Sequence, residues 1–354
     1  MRAEVLKRPS YNAAVSTAFS AWEAPLRRLC DVLRATTRAA LLEARARGTG
    51  AELARPAGQG QGDVTFGLDV PAERALDAWL AEAARAGPLS LLTEDAGWRH
   101  RGPGGALPSF DHGGPRIAVD PIDGTRNLMV ELRSAWTVVS FAGPGAGAPR
   151  LSDLAGGLLA EIPTRFGALY RVLSAARGGG ARYEERDLAT GAALHGAPLC
   201  ADADARVDQG YFPVFRYKPD QRPAIARLEA ALFARLAAAE GADTRSIYDD
   251  QYISNGGQLA LLALGTYRAV FDPRALVAAR LGSPTVTSKP YDVAGAILCA
   301  SEAGAVITAA DGGALDFPLD TETPVSFAGY ANPGTRARVE PHWLAALAAE
   351  LPPR

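Results

Sequence analysis

Val119-Asp120-Pro121-Ile122-Asp123-Gly124-Thr125 is the stretch on which the reading of this chain turns. The β-run Ile117-Ala118-Val119 delivers Asp120 to a strand terminus, Pro121 imposes a rigid bend, and Asp123 emerges three residues later. Two carboxylates held close together repel unless a cation sits between them, and carboxylate oxygens suit a hard cation such as Mg²⁺. Gly124-Thr125 stand where a helix can begin, and free backbone N–H groups at such a start can hold phosphate oxygens. The bland reading is an acidic β-turn, since Asp, Pro and Gly are all common in turns; this stretch alone leaves the two readings even.

Working outward, other acidic residues stand at element edges. Asp69 closes GDVTFGLD (62–69) ahead of a helix, Glu94 and Asp95 lie in LLTEDAG (91–97), and Asp292 heads a helix in KPYDVAGA (289–296). Singly, Asp69 and Asp292 read as helix N-caps and Glu94-Asp95 as a solvated loop pair. Together with Asp120 and Asp123 they form an acidic set spread over four element edges.

The bulk properties set bounds. A chain of 354 residues suits two domains or one large two-part domain, and the polar stretch 183–205 places the division between 1–182 and 183–354. The first part is expected to be α+β and the second α/β. A net charge of −2 pulls the chain toward neither nucleic acid nor membrane. There is no run of 18 apolar residues, and MRAEVLKRPSYNAAV lacks an apolar signal core, so a cytoplasmic setting is expected. Cys30, Cys200 and Cys299 lack metal or redox spacing and read as small buried residues.

Periodicity predicts a helix over 26–47, started by Pro25 and stopped by Gly48. A second follows Pro71 with Ala72, Leu76, Trp79, Leu80 and Ala83 inward. Residues 97–116 read as a Gly/Pro-rich loop. Residues 136–142, 156–162, 167–175, 267–271 and 305–310 read as strands, and 223–239, 250–264 and 292–303 as helices. Residues 347–354 read as frayed.

The order D…(E/D)(E/D)…DPIDGT…(W/Y)DVAG, with EAGAVI (302–307) and RGGGA (177–181), resembles the inositol monophosphatase superfamily over roughly residues 26–310. The resemblance implies a layered αβαβα sandwich and a lithium-sensitive, metal-dependent phosphatase of small phosphate monoesters, commonly a homodimer. It implies two or three Mg²⁺ ions: a first on Glu94, Asp120 and the Ile122 carbonyl, a second on Asp120, Asp123 and Asp292, and a weaker third leaning on Glu94. Asp69 and Thr125 would orient the attacking water, and the Gly124 and Thr125 N–H groups would hold the phosphate. Two-metal displacement fits that set.

The chain departs from the pattern in places. Asp95 stands for a second Glu, Tyr291 for Trp, and GSPTVTSKPY (282–291) lacks the Glu with which inositol-specific members bind a ring hydroxyl. Arg126, Asp272 and Arg274, with Arg280 and Lys289, are the candidate substrate contacts, which points away from inositol 1-phosphate. Three other readings remain: a haloacid-dehalogenase-type phosphatase with an Asp nucleophile, which needs D-x-D where this chain has D-x-x-D; a nucleotide-binding module on Gly178–Gly180; and an inactive relative acting as a binding protein.

Overall fold

The computed structural model describes residues 13–59 and 64–352. Gly62 and Asp63 of GDVTFGLD and the last two residues of the expected frayed tail lie outside them. Helix α1 (Ala13–Ala46) presents a stripe of Phe19, Leu26, Leu29, Leu33 and Leu41, all buried. It starts earlier than expected and Pro25 lies inside it, because the stripe packs on both sides of the proline. Helix α2 (Asp69–Ala86) buries Ala72, Leu76, Leu80 and Ala84, with Trp79 and Ala83 at the edge of the same core.

Nine strands form one sheet: β1 (Leu89–Thr93), β2 (Gly97–Gly102), β3 (Gly105–Ala106), β4 (Arg116–Asp123), β5 (Ala135–Ala142), β6 (Leu154–Ile162), β7 (Leu169–Ala176), β8 (Gly180–Asp187) and β9 (Ala193–Leu199). Their order is β9-β8-β7-β6-β5-β4-β1-β2-β3. Neighbours run antiparallel except β1 and β4, which are parallel. The central strands are buried on both faces, which accounts for their nearly continuous apolar runs. Ile117 and Val119 face the core under α1 and α2, while Ala118 faces the opposite core.

The remainder of the chain builds the other layers. It comprises α3 (Arg222–Glu240), α4 (Asn255–Ala263), β10 (Ala269–Asp272), α5 (Arg274–Leu281), α6 (Pro290–Glu302), β11 (Val306–Ala309), β12 (Phe327–Tyr330) and α7 (Pro333–Glu350). Helices α4 and α6 cover the second face of the large sheet. A small antiparallel sheet, β10-β12-β11, lies beyond them. Its strands alternate: Val270 and Phe327 face the middle helices, while Phe271, Ala328 and Tyr330 face α3 and α7. The layers therefore run αβαβα, as the resemblance implied.

Several local expectations are corrected. The loop 97–116 contains β2 and β3, an edge hairpin whose Gly and Pro residues serve its turns. The stretch 183–205 contains most of β8 and all of β9, an antiparallel hairpin turned at 188–192, because polar side chains suit outer strands at the edge of the sheet. A division at 182/183 falls inside β8. Helix α4 begins at Asn255 rather than 250, and α7 runs to Glu350 with Leu351 buried, so residues 347–351 are ordered by packing rather than frayed. Cys200 is exposed, whereas Cys30 and Cys299 are buried. No helix among the described residues is long and apolar enough to cross a membrane.

Candidate active site

The acidic residues meet because of two features of the sheet. Strands β1 and β4 are parallel, with Leu92 beside Ala118, so two residues further on Glu94 and Asp120 leave the sheet at the same end. In β4, Asp120 pairs with Val138 and Asp123 with Trp136, three residues against two. An odd spacing would send the two aspartates to opposite faces of a regular strand. The extra residue of this bulge returns both to the face of α4 and α6. Pro121 has no N–H to lose there, and its carbonyl accepts from Thr137 Oγ1 at 2.9 Å.

Helix starts then close in on that end. Gly124, at φ +102°, turns the chain into the helical turn Thr125–Leu128. A Cβ at Gly124 would sit 3.0 Å from Ser254 Cβ, so glycine is required on both counts. Asp69 begins α2, Ser254 caps α4, and Asp292 lies in the first turn of α6. Asp69, Glu94, Asp120, Ile122, Asp123, Gly124, Thr125, Arg126, Arg274 and Asp292 all line one cleft. Of the sequence candidates Asp95, Asp272 and Arg280 do not line it.

Each carboxylate is held by donors. Asp120 Oδ1 accepts from Ile122 N–H at 2.9 Å, and Asp292 Oδ2 from Lys289 N–H at 2.9 Å. Asp123 Oδ2 accepts from Ser254 Oγ at 2.7 Å and Gly256 N–H at 2.6 Å. Asp69 Oδ2 accepts from Phe66 N–H at 2.7 Å. Thr125 Oγ1 lies 2.8 Å from both Asp69 Oδ1 and the Ile122 carbonyl, with one hydrogen to share between them.

Burial nevertheless dominates. It pushes Asp120 well above the usual carboxylate range, helped by the charges of Asp123, Asp292 and Glu94. It lifts Asp292 to about 8, with Asp123 adding repulsion, and Asp69 to about 6 against its two hydrogen bonds. Asp123 reaches only about 6, because Ser254 and the backbone donors at the start of α4 oppose the burial. Among the described residues no three His, Cys, Asp or Glu side chains are gathered into a ready-made metal cage. The donor set that faces the cleft, carboxylates plus the Ile122 carbonyl, is nonetheless the chemistry a hard divalent cation takes.

Arg274 and Asp272 form a buried bidentate pair, with Arg274 Nε 2.8 Å from Oδ1 and Nη2 2.7 Å from Oδ2. Asn255 Nδ2 and Ser288 Oγ also donate to Asp272, so this pair braces the cleft wall. Arg280 instead binds the Leu351 carbonyl, away from the cleft. Arg126 lies at the cleft with its guanidinium carbon 5.3 Å from the Phe66 ring centre. Sequence reasoning missed Ser254 and Gly256, which clamp Asp123, and the Phe215–Tyr217 wall. The Ser-Asn-Gly-Gly run at 254–257 was an available N-cap signal.

The profile of the inositol monophosphatase family matches residues 31–346. A staphylococcal inositol monophosphatase II is similar in structure at 17% identity, covering 93% of this chain and 97% of that one, with a TM-score of 0.55. SuhB of Mycobacterium tuberculosis is similar at 19% identity over 92% and 96%, TM-score 0.55. Fructose-1,6-bisphosphatase of Leishmania major is similar at 14% identity over 96% and 95%, TM-score 0.65. No curated protein matches the chain.

Proposed function

Because the chain belongs to the inositol monophosphatase family, we propose that it is a Mg²⁺-dependent phosphomonoesterase of small phosphorylated metabolites. One observation carries this reading: Glu94, Asp120, Asp123 and Asp292 line a single cleft, where burial first, and then the charges of the other three, push the Asp120 carboxyl up. Such a cluster lowers its own free energy by taking up cations. Glu94, Asp120, the Ile122 carbonyl, Asp123 and Asp292 would hold two Mg²⁺ ions, with Glu94 serving a weaker third. When bound, the ions supply acidified water and charge neutralisation at the leaving oxygen.

The protein's own groups do the rest. Thr125 donates to Asp69, so its oxygen lone pairs are turned out to accept a proton of the attacking water. Asp69, lifted to about 6, is basic enough to receive that proton near neutral pH. Gly124 and Thr125, at the head of the helical turn, present N–H groups to the phosphate. No side chain need become phosphorylated, so an Asp nucleophile is not part of this mechanism.

Among substrates, the reading favours a sugar phosphate, sugar bisphosphate or nucleotide monoester over inositol 1-phosphate. No glutamate precedes Asp292 in 282–291, and aromatic Phe215 and Tyr217 with Arg126 and Lys289 line the cleft instead. The staphylococcal enzyme has structures bound to inositol monophosphate and to 2′AMP. A cytoplasmic homodimer completes the proposal, and light scattering checks the dimer.

The test is phosphate release from a panel of monoesters with and without Mg²⁺. Release that needs Mg²⁺ and is inhibited by Li⁺ in the range of tens of millimolar is expected, since a monovalent ion competes weakly for such oxygens. Absence of release from every ester at saturating Mg²⁺ would overturn the reading.

A further inference from the structure

We propose that helix α1 and the outer strands β7 and β8 form an oxyanion site, separate from the cleft, in which Arg34, Tyr170 and Arg186 hold a free tetrahedral anion such as inorganic phosphate. The assignment does not depend on what the cleft does. Strands β7 and β8 are antiparallel neighbours, with Tyr170 directly opposite Arg186 and Val172 opposite Glu184. Directly opposed residues share a face of the sheet. Arg27 shows that this face lies under α1: it reaches Ser174 Oγ at 3.0 Å and Glu184 Oε1 at 3.1 Å. About two turns further along the helix, Arg34 lies over Tyr170. Its guanidinium carbon is 3.5 Å from the ring centre.

The donors gathered here outnumber the acceptors. Arg34 Nη1, Tyr170 Oη and Arg186 Nε are buried atoms with no hydrogen-bond partner among the described residues. Thr37 Oγ1, a turn beyond Arg34 on α1, is a fourth. Arg34, Thr37 and Tyr170 are only 7%, 0% and 1% exposed, so bulk water does not serve them. The nearby carboxylates are already engaged. Asp31 Oδ1 accepts from Arg34 Nη2 at 2.6 Å. Glu184 pairs with Arg27 and lies 3.7 Å from Arg186 Nε, beyond hydrogen-bond distance. Burial lifts the Tyr170 phenol; Arg34 opposes the rise, Asp31 adds to it and Arg186 opposes it, which places both guanidiniums near the hydroxyl.

The charge points the same way. Arg38 follows on α1 and spends Nη1 on the Pro163 and Thr164 carbonyls. Burial first, and then the charge of Arg34, lower its pKa, while Glu131 opposes them. Buried donors without acceptors cost free energy, and a group that accepts from all of them recovers it. A water has fewer lone pairs than there are donors here and brings no charge. A cation is repelled by the arginines. A tetrahedral oxyanion presents acceptors on every side, and guanidinium groups are its favoured partners. The way in lies past the side chains of Arg186 and Asp31, both partly exposed.

The experiment titrates inorganic phosphate calorimetrically into the full chain at constant ionic strength, with a chelator present so that no metal draws the anion into the acidic cleft. Wild type is expected to bind it. Tyr170→Phe should weaken binding about tenfold, and Arg186→Gln at least as much. Asp31→Asn releases Arg34 from its carboxylate and should tighten binding. Without phosphate, Tyr170→Phe should melt no lower than wild type, because its hydroxyl has no bond to lose. Phosphate also strengthens burial in general, so a raised melting temperature counts only if it follows the same order of variants. No heat in wild type, or binding only above roughly 100 mM, would mean that water serves these donors and would overturn the site. Equal affinity in wild type, Tyr170→Phe and Asp31→Asn would place the anion elsewhere and overturn it too.

Discussion

At the scale of single residues, the cleft trades stability for function, and two aspartates expose the trade. Asp120 is buried among like charges, with one backbone donor at Oδ1. Asp120→Asn removes that repulsion, so the metal-free variant should melt no lower than wild type. With Mg²⁺ its turnover should drop roughly a thousandfold or more, through loss of several kcal/mol of transition-state stabilisation. Near-normal turnover, or a large loss of melting temperature, would sink the assignment. Asp69 separates two roles in the same way. As a cap alone, Asp69→Asn would cost little, because Asn caps well. As the base behind Thr125, its loss should lower kcat by roughly a hundredfold with the melting temperature nearly kept. These residues were legible in the sequence because each is an acid next to a turn or cap signal. Ser254 and Gly256 were not, because they act on Asp123 from 131 and 133 residues away, and nothing local announces such a pairing.

At the scale of elements, strand and helix patterns were readable wherever both sequence neighbours and burial agreed. The edge hairpin β2–β3 was not, since its Gly and Pro content reads as loop and its pairing with β1 is tertiary. Ser90 shows what fastens this edge: its Oγ lies 2.8 Å from His100 Nδ1 and 2.7 Å from His112 Nε2, bridging β1, β2 and the loop beyond. Gly295 had a motif but no evident reason. In the structure an added Cβ would lie 2.2 Å from the Val139 carbonyl, so α6 rests on β5 backbone to backbone. Gly295→Ala must lift α6, and Asp292 with it, from the sheet. We expect a loss of about 2–4 kcal/mol, read by denaturant unfolding, with a raised Mg²⁺ requirement in whatever remains folded. A variant as stable as wild type would mean that the helix can shift freely, and that its contact does not set the position of Asp292.

At the scale of the whole molecule, five layers were implied by the motif order but not by composition, since no local pattern states which sheet a strand joins. The outer layer is tied to the cleft wall through Glu229 of α3, which meets Arg216 at 3.1 Å. Burial lifts the Glu229 carboxyl to about 7; Arg216 opposes the rise and Asp249 adds to it. The folded state then holds this proton more tightly than the unfolded chain, whose glutamate titrates at its ordinary value of 4.5. Between those values the native state binds more protons than the unfolded one, so the slope of stability against pH is negative. The contribution is complete below about 4.5 and is lost as pH rises through about 7. At full weight the shift corresponds to about 3 kcal/mol, and partial access to solvent reduces it to roughly 1 kcal/mol. Glu229→Gln cannot titrate. Denaturant unfolding of both proteins at pH 5 and pH 8 should therefore show wild type losing roughly 1 kcal/mol relative to the variant as pH rises. A constant difference across that range would mean that the Arg216 ion pair, not burial, governs Glu229.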